Sequence, residues 1–326
     1  MFYKDKKVLV TGGSGLAGSH LIEALLNKGA IVTTVLHKKP ITLTTSKKID
    51  HSNIYVVEGD LCNSDFCWKA LEGQEYVFHC AAVTSGAYDI VNNPAKHITS
   101  NLIMCSRLLE VANLAKVERF LFMSSTTVYP DGDDPMAEGD VWKGDVHPSY
   151  QAVGWMKRYV EKLCEFYHDR TDLNTCIIRP ANFYGPRDDF NLETAHALPA
   201  LIRRLVDGED PLSVWGDGSA IRDFAYVQDI VDGMLLIMEK FCCGAALNIG
   251  SGLSTSIKDA IEIVIDILGT NPKIEYDPSK PSTIPIRRMD VSLAKEIIGF
   301  TSSYELEEGL RLTIDWFKQN REKYND

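Results

Sequence analysis

The sequence predicts an α/β protein in which a doubly wound, mainly parallel sheet is followed by a smaller C-terminal α/β domain. Three observations carry that expectation. Short β-branched runs alternate with segments of helical period through the first half. Runs such as VLV and YVFHC have no polar side, as strands covered by helices on both faces require. After Arg179 the rhythm gives way to turn-rich, charged segments, NFYGPRDDFN and SVWGDGSAIRD.

In chain order, strands are expected at 7–11, 31–36, 54–57, 76–80, 119–124 and 175–178, and helices of the second half at 229–239 and 256–268. The first domain is placed at 1–178 and the second at 179–326, with segments 224–227 and 247–249 returning to the large sheet. At 326 residues and 45% hydrophobic content the chain can bury a large core without covalent staples. A formal charge of −11 and the lack of a long basic run argue against nucleic acid or an anionic membrane as partner, so an anionic ligand must meet a local positive site. The polar start, Met1 to Lys7, does not read as a signal peptide, and no apolar stretch approaches about 20 residues, which makes a cytoplasmic location the expectation. The eight cysteines form no CxxC pair and no cluster at metal spacing, and read as reduced thiols with no metal site.

The strand Val8-Leu9-Val10 runs into Thr11-Gly12-Gly13-Ser14-Gly15-Leu16-Ala17-Gly18 and then into the helical run SHLIEALLNKG. Glycines spaced GxxGxxG between a strand and a helix allow a tight turn and a close approach of backbone N–H groups to a pyrophosphate. The fold is therefore expected to be Rossmann-type, with Gly12, Gly15, Leu16, Ala17 and Gly18 holding a dinucleotide. About twenty residues on, where an acidic side chain would grip the adenosine ribose, stand His37 and Lys38. They are either acceptors of a 2′-phosphate, which would make the cofactor NADP, or a solvated edge. The absence of Arg or Lys in the glycine loop favours NAD.

Ser124-Ser125-Thr126-Thr127-Val128-Tyr129 follows a strand, and Tyr150 opens a helix, SYQAVGWMKRYVEKLCEFY, 25 residues after Ser125. With the glycine loop these residues resemble the extended short-chain dehydrogenases/reductases, the NAD-dependent epimerase/dehydratase family. The resemblance continues through Asp60-Leu61, Cys80-Ala81-Ala82, Asn101, Arg179 to Pro186 and Arg222-Asp223-Phe224. It implies Tyr150, Ser125 and Thr126 as the catalytic group, and Asp60, Leu61, Ala81, Ala82, Asn101 and Tyr150 as cofactor contacts.

Residues 182–204, Val214-Trp215-Gly216 and Arg222 are most similar to the substrate region of GDP-fucose synthases, which implies a nucleotide sugar, GDP-linked by preference. Ser125, Thr127, Asn182, Arg187, His196, Leu198, Trp215, Arg222 and Arg288 are the implied substrate contacts, with Arg287 the alternative to Arg288. A homodimer through the helices at 101–115 and 151–167 is implied as well, using Leu102, Met104, Leu108, Leu109, Trp155, Tyr159 and Leu163.

Thr126 and Thr127 fall where dehydratases of the family carry two carboxylates, and Thr127 also falls at the cysteine of GDP-fucose synthase. Elimination, or proton exchange beside a ketone, needs an ionisable group that threonine cannot supply. What remains is hydride transfer at a sugar carbinol, as in the C4 oxidation of GDP-manno-heptose for capsule or surface polysaccharide, or a 4-epimerase that retains its NADH. One departure stands against all this: the family motif YxxxK ends here in Gly154. Lys157 lies about 10 Å along the helix from Tyr150 instead of about 6 Å, so it does not simply replace the lysine. That departure keeps open a reading of another class, a catalytically weak nucleotide-sugar-binding protein.

Overall fold

The computed structural model describes residues 1–37, 41, 51–84, 95, 98–280 and 284–324. The first part of the chain forms β1 (Lys7–Thr11), α1 (Leu16–Asn27), β2 (Ile31–Leu36), β3 (Ile54–Glu58), α2 (Ser64–Leu71), β4 (Tyr76–His79), α3 (Thr99–Leu114), β5 (Arg119–Met123), α4 (Gln151–Arg170) and β6 (Asn174–Pro180). The second adds β7 (Asn182–Tyr184), α5 (Ala197–Val206), β8 (Leu212–Trp215), β9 (Ile221–Arg222), β10 (Phe224–Tyr226), α6 (Val227–Lys240), β11 (Ala246–Ile249), β12 (Thr255–Ser256), α7 (Ile257–Leu268), β13 (Ile274–Asp277), β14 (Ile286–Arg287), α8 (Ser292–Ile298) and α9 (Leu306–Asn320).

Seven strands form one sheet in the order β11-β6-β5-β4-β1-β2-β3, and every pairing in it is parallel. Alternation sends Val8 and Val10 into a cluster with Leu21, Leu25 and Met234, and Leu9 into another with Leu108 and Val160. Both faces of the sheet are therefore buried, which is why its strands lack a polar side. The order turns back between β1 and β4, which opens a crevice at the carboxyl ends of those strands. The glycine loop leaves β1 at that point.

The second half packs around its own cluster of Leu198, Leu201, Ile202, Leu212, Val264 and Phe317. Helix α7 begins at a capping box, with Ser256 Oγ accepting from Asp259 N at 3.0 Å, and ends at Gly269 with φ +66°. Two expectations need correction. Segment 247–249 does return to the large sheet as β11, but 224–227 does not: Phe224 to Tyr226 pair with Asn182 to Tyr184 in a separate two-stranded sheet. Met104, Leu108 and Leu109 face their own sheet, not a partner. Among the described residues no helix is long and apolar enough to cross a membrane.

Candidate active site

The glycine loop is built as a cradle. Gly12 has φ +74°, and a Cβ there would lie 2.7 Å from the Ala81 nitrogen. A Cβ on Gly18 would collide with the Gly12 carbonyl, so α1 can approach the loop only without side chains at both positions. Gly15 is the N-cap of α1 and supplies no side-chain cap, leaving the N–H groups of the first turn, Leu16 and Ala17 among them, directed at the crevice. That is the arrangement a pyrophosphate needs, and the loop fits a dinucleotide. Thr11 Oγ1 accepts from Ala81 N at 3.1 Å and contacts His79 Nδ1 at 2.8 Å, tying the end of β1 to the end of β4.

Asn101 lines the site indirectly: its amide accepts from Val83 N at 2.7 Å and donates to Val83 O at 3.0 Å, which holds the segment after β4. Asp60 is exposed and accepts from Cys62 N, whereas the Leu61 side chain turns into the core, so only the backbone of Leu61 is left for a ligand. His37 is exposed just beyond β2, and Lys38 lies outside the described residues.

The candidate catalytic corner is formed where the turn after β5 packs on the start of α4. Ser125 caps a short 3-10 turn, Thr126–Val128, its Oγ accepting from Thr127 N at 3.2 Å. Its own proton remains available to a substrate oxygen. Thr127 Oγ1 is buried without a partner among the described residues. Arg158 of α4 fastens the turn by donating from Nε to Val128 O at 2.7 Å.

Tyr150 is the N-cap residue of α4 and half-buried, and its hydroxyl has no hydrogen-bond partner among the described residues. At Gly154, one turn on, a Cβ would lie 2.5 Å from Thr127 O and 2.8 Å from Val146 Cγ1. The glycine is thus required by the closeness of helix and turn. Lys157 donates to Met123 O at 2.8 Å, with its ammonium 5.0 Å from the centre of the Phe122 ring.

Facing Tyr150 is a pair of arginines. Ile221-Arg222 and Ile286-Arg287 run parallel in register, so Arg222 and Arg287 are direct neighbours and project to the same side. Both interact electrostatically with Tyr150, and burial pulls both guanidinium groups below their usual range. Arg222 Nη1 donates to Ile221 O at 2.7 Å. Arg287 is 3% exposed, donates from Nη1 to Pro130 O at 2.9 Å, and keeps Nη2 buried without a partner among the described residues. Two adjacent guanidinium groups, one buried and one half-buried, raise the local positive potential, and a diphosphate is an anion suited to such a site.

Several expected substrate contacts are placed differently. Arg288, one residue on, alternates away from this pair and reaches Asp133 O at 3.3 Å; Arg287 takes the position expected of it. Arg187 is paired with Glu23 of α1 in an almost fully buried ion pair that joins the two halves of the chain. Leu198 belongs to the core of the second half because 198, 201, 202 and 205 form the buried stripe of α5. His196, the N-cap of α5, and Trp215, at the end of β8, are exposed, as is Asn182, whose nitrogen donates to Asp223 O at 3.1 Å.

Residues 8–250 match the model of the "NAD dependent epimerase/dehydratase family". A "Probable GDP-L-fucose synthase 1" of Oryza sativa subsp. japonica is 30% identical, over 98% of this chain and 94% of that protein. The crystal structure of a UDP-glucose 4-epimerase from Thermotoga maritima with UDP-glucose superposes with a TM-score of 0.85 at 30% identity, covering 97% of this chain and 99% of the other. That of a UDP-glucuronic acid 4-epimerase from Bacillus cereus with UDP-glucuronic acid and NAD gives 0.83 at 28%, covering 96% and 99%.

Proposed function

Because this chain belongs to the NAD dependent epimerase/dehydratase family and is an NAD-dependent nucleotide-sugar enzyme, we propose that it oxidises C4 of a GDP-sugar of the GDP-manno-heptose type. The carrying observation is the composition of the catalytic corner. Ser125 and Tyr150 have hydroxyls open to a ligand, while the intervening Thr126 and Thr127 hold no group that ionises near neutral pH. Bound NAD supplies a hydride acceptor; the chain's own work is the proton. Tyr150 in its phenolate form takes the proton of the C4 hydroxyl and becomes the phenol, Ser125 donates a hydrogen bond to the same oxygen, and the Arg222 and Arg287 pair holds the diphosphate. Thr127, with its unpartnered Oγ1, contacts the sugar. The GDP preference is supported by relatives such as the rice GDP-L-fucose synthase. Residues 179–326, less β11, are read as the sugar-nucleotide half, and the setting as cytoplasmic synthesis of capsule or surface polysaccharide.

A 4-epimerase that returns the hydride to the opposite face is the second reading, favoured by the likeness to the two UDP-sugar 4-epimerase structures. One experiment separates them: identify by mass spectrometry the nucleotide released on denaturation, then incubate the enzyme with GDP-, UDP- and dTDP-sugars in deuterated water. The proposal expects NAD(H) and a keto GDP-sugar without deuterium introduced by the enzyme. An isomerised sugar without net oxidation overturns it in favour of epimerisation, and no turnover with ligand still bound leaves a binding protein.

The same reading takes the protein as a homodimer through α3 and α4, where Ile103, Trp155, Tyr159 and Phe166 are exposed. Light scattering at micromolar concentration is expected to give twice the chain mass, and a monomer would refute the dimer.

A further inference from the structure

We propose that Cys176 and Cys242 form an oxidisable dithiol, which a small-molecule disulfide converts into an intrachain bridge fastening the end of α6 to β6. The Cys242 thiol donates to Cys176 Sγ at 3.0 Å, and all eight cysteines are free. A disulfide bond spans about 2.05 Å, so closure asks the two sulfurs to approach by only about 1 Å.

That approach is set by the main chain. Helix α6 ends at Lys240, and Gly244, with φ +75°, turns the following segment back along β6. Gly244 N then donates to Thr175 O at 2.8 Å, and Ile177 N donates to Ala245 O at 3.1 Å. These bonds flank Cys176 on both sides and fix the segment that begins with Cys242. Cys242 Sγ also lies 3.6 Å from Met238 O and 3.9 Å from Met238 Sδ, in the last turn of α6. Cys176 stands near the amino end of β6, whereas the glycine loop and the turn bearing Ser125 leave the carboxyl ends of their strands. The dithiol is therefore separate from the candidate active site.

The two thiols have different parts to play. Cys176 is buried, and burial pushes its thiol well above the ordinary range, with the hydrogen bond from Cys242 adding to the rise. Cys242 is half-buried and Cys243 beside it is exposed, so an external reagent reaches the pair from this end. Cys242 is the attacking sulfur. As a thiolate it breaks the S–S bond of the external disulfide, forms a mixed disulfide and expels one thiolate. Cys176 then loses its proton to water, bonds to Cys242 Sγ and expels the second thiolate. Two electrons pass from the protein to the external disulfide, which leaves as two thiols. The bridge joins residues 66 apart, enclosing β7 to β10 with α5 and α6, and a loop of that length restricts the unfolded chain strongly.

The test exposes the full chain to oxidised glutathione at neutral pH, alkylates the remaining thiols, and reads the intact mass and the cross-linked peptides by mass spectrometry. The expected product is lighter by two hydrogens and joins Cys176 to Cys242. Its Tm is expected to rise by roughly 4–10 °C, and dithiothreitol should reverse both changes. Cys243→Ser should oxidise in the same way, whereas Cys242→Ser should form no bridge, with Cys242→Ala in reserve should the serine variant not fold. Eight unchanged thiols, a glutathione adduct that persists at Cys242, or a bridge between Cys242 and Cys243 would overturn the proposal. So would a bridge between Cys176 and Cys242 that forms only in denaturant or lowers Tm, since neither belongs to a pair positioned by the native fold.

Discussion

Tyr150→Phe is expected to lower kcat by roughly 10²- to 10⁴-fold, the span that a positioned acid–base group contributes. The tyrosine hydroxyl has no hydrogen-bond partner among the described residues, so its removal leaves no orphaned group behind, and stability should stay within about 0.5 kcal/mol. Sugar-nucleotide affinity should also hold, because the diphosphate is assigned to Arg222 and Arg287, which do not depend on the phenol for their fixed hydrogen bonds to Ile221 O and Pro130 O. Single-turnover reduction of NAD, followed at 340 nm as a wavelength of NADH absorbance, measures the chemical step directly. A variant with more than about a tenth of wild-type turnover would remove Tyr150 from proton transfer and, with it, the dehydrogenase mechanism.

Glu161→Ala is expected to cost about 3–5 kcal/mol of folding stability. Glu161 of α4 and Arg179 of β6 form a forked ion pair, with Nη2 to Oε2 at 2.6 Å and Nε to Oε1 at 3.0 Å, and side chains only 6% and 5% exposed. Ser124 also donates to Glu161, and Arg179 reaches Tyr129 Oη at 3.0 Å and Glu138 O at 2.8 Å. Tyr129 in turn donates to Asn248 Oδ1 at 2.6 Å, which extends the network into β11. Removing the carboxylate strands a buried guanidinium and loosens the segment that bears Ser125. The double variant Glu161→Met/Arg179→Met should recover much of the loss, because the pair contributes far less than its broken half costs. Denaturant unfolding gives both numbers; a single variant within about 1 kcal/mol of wild type would show that the network does not hold this corner together.

Much of the fold was legible because its causes are local. The six first-half strands announce themselves by apolar β-branched runs, and the dinucleotide loop by glycines whose absent side chains are needed within a few residues of one another. Ser125 and Tyr150 were singled out by resemblance to the family's motif; nothing in their local sequence alone marks them beyond a strand end and a helix start. Gly154 could be read as a departure but not explained, because the atoms that forbid a side chain there, Thr127 O and the Val146 side chain, come from another segment.

By itself, then, the sequence determined the parallel sheet and the glycine cradle at the end of its first strand, both set by backbone propensity and residue type over short spans, while the side chains at the candidate catalytic corner were read from family resemblance. Only the tertiary structure decided which cations lie beside Tyr150. Parallel pairing of two distant strands brought Arg287, not Arg288, beside Arg222; an ion pair across the two halves committed Arg187 to Glu23; and helical period buried Leu198. It also sent 224–226 to pair with β7 instead of the large sheet. In each case the deciding partner lies elsewhere in the chain, and a side chain's role is fixed by the register and packing that bring the partner near.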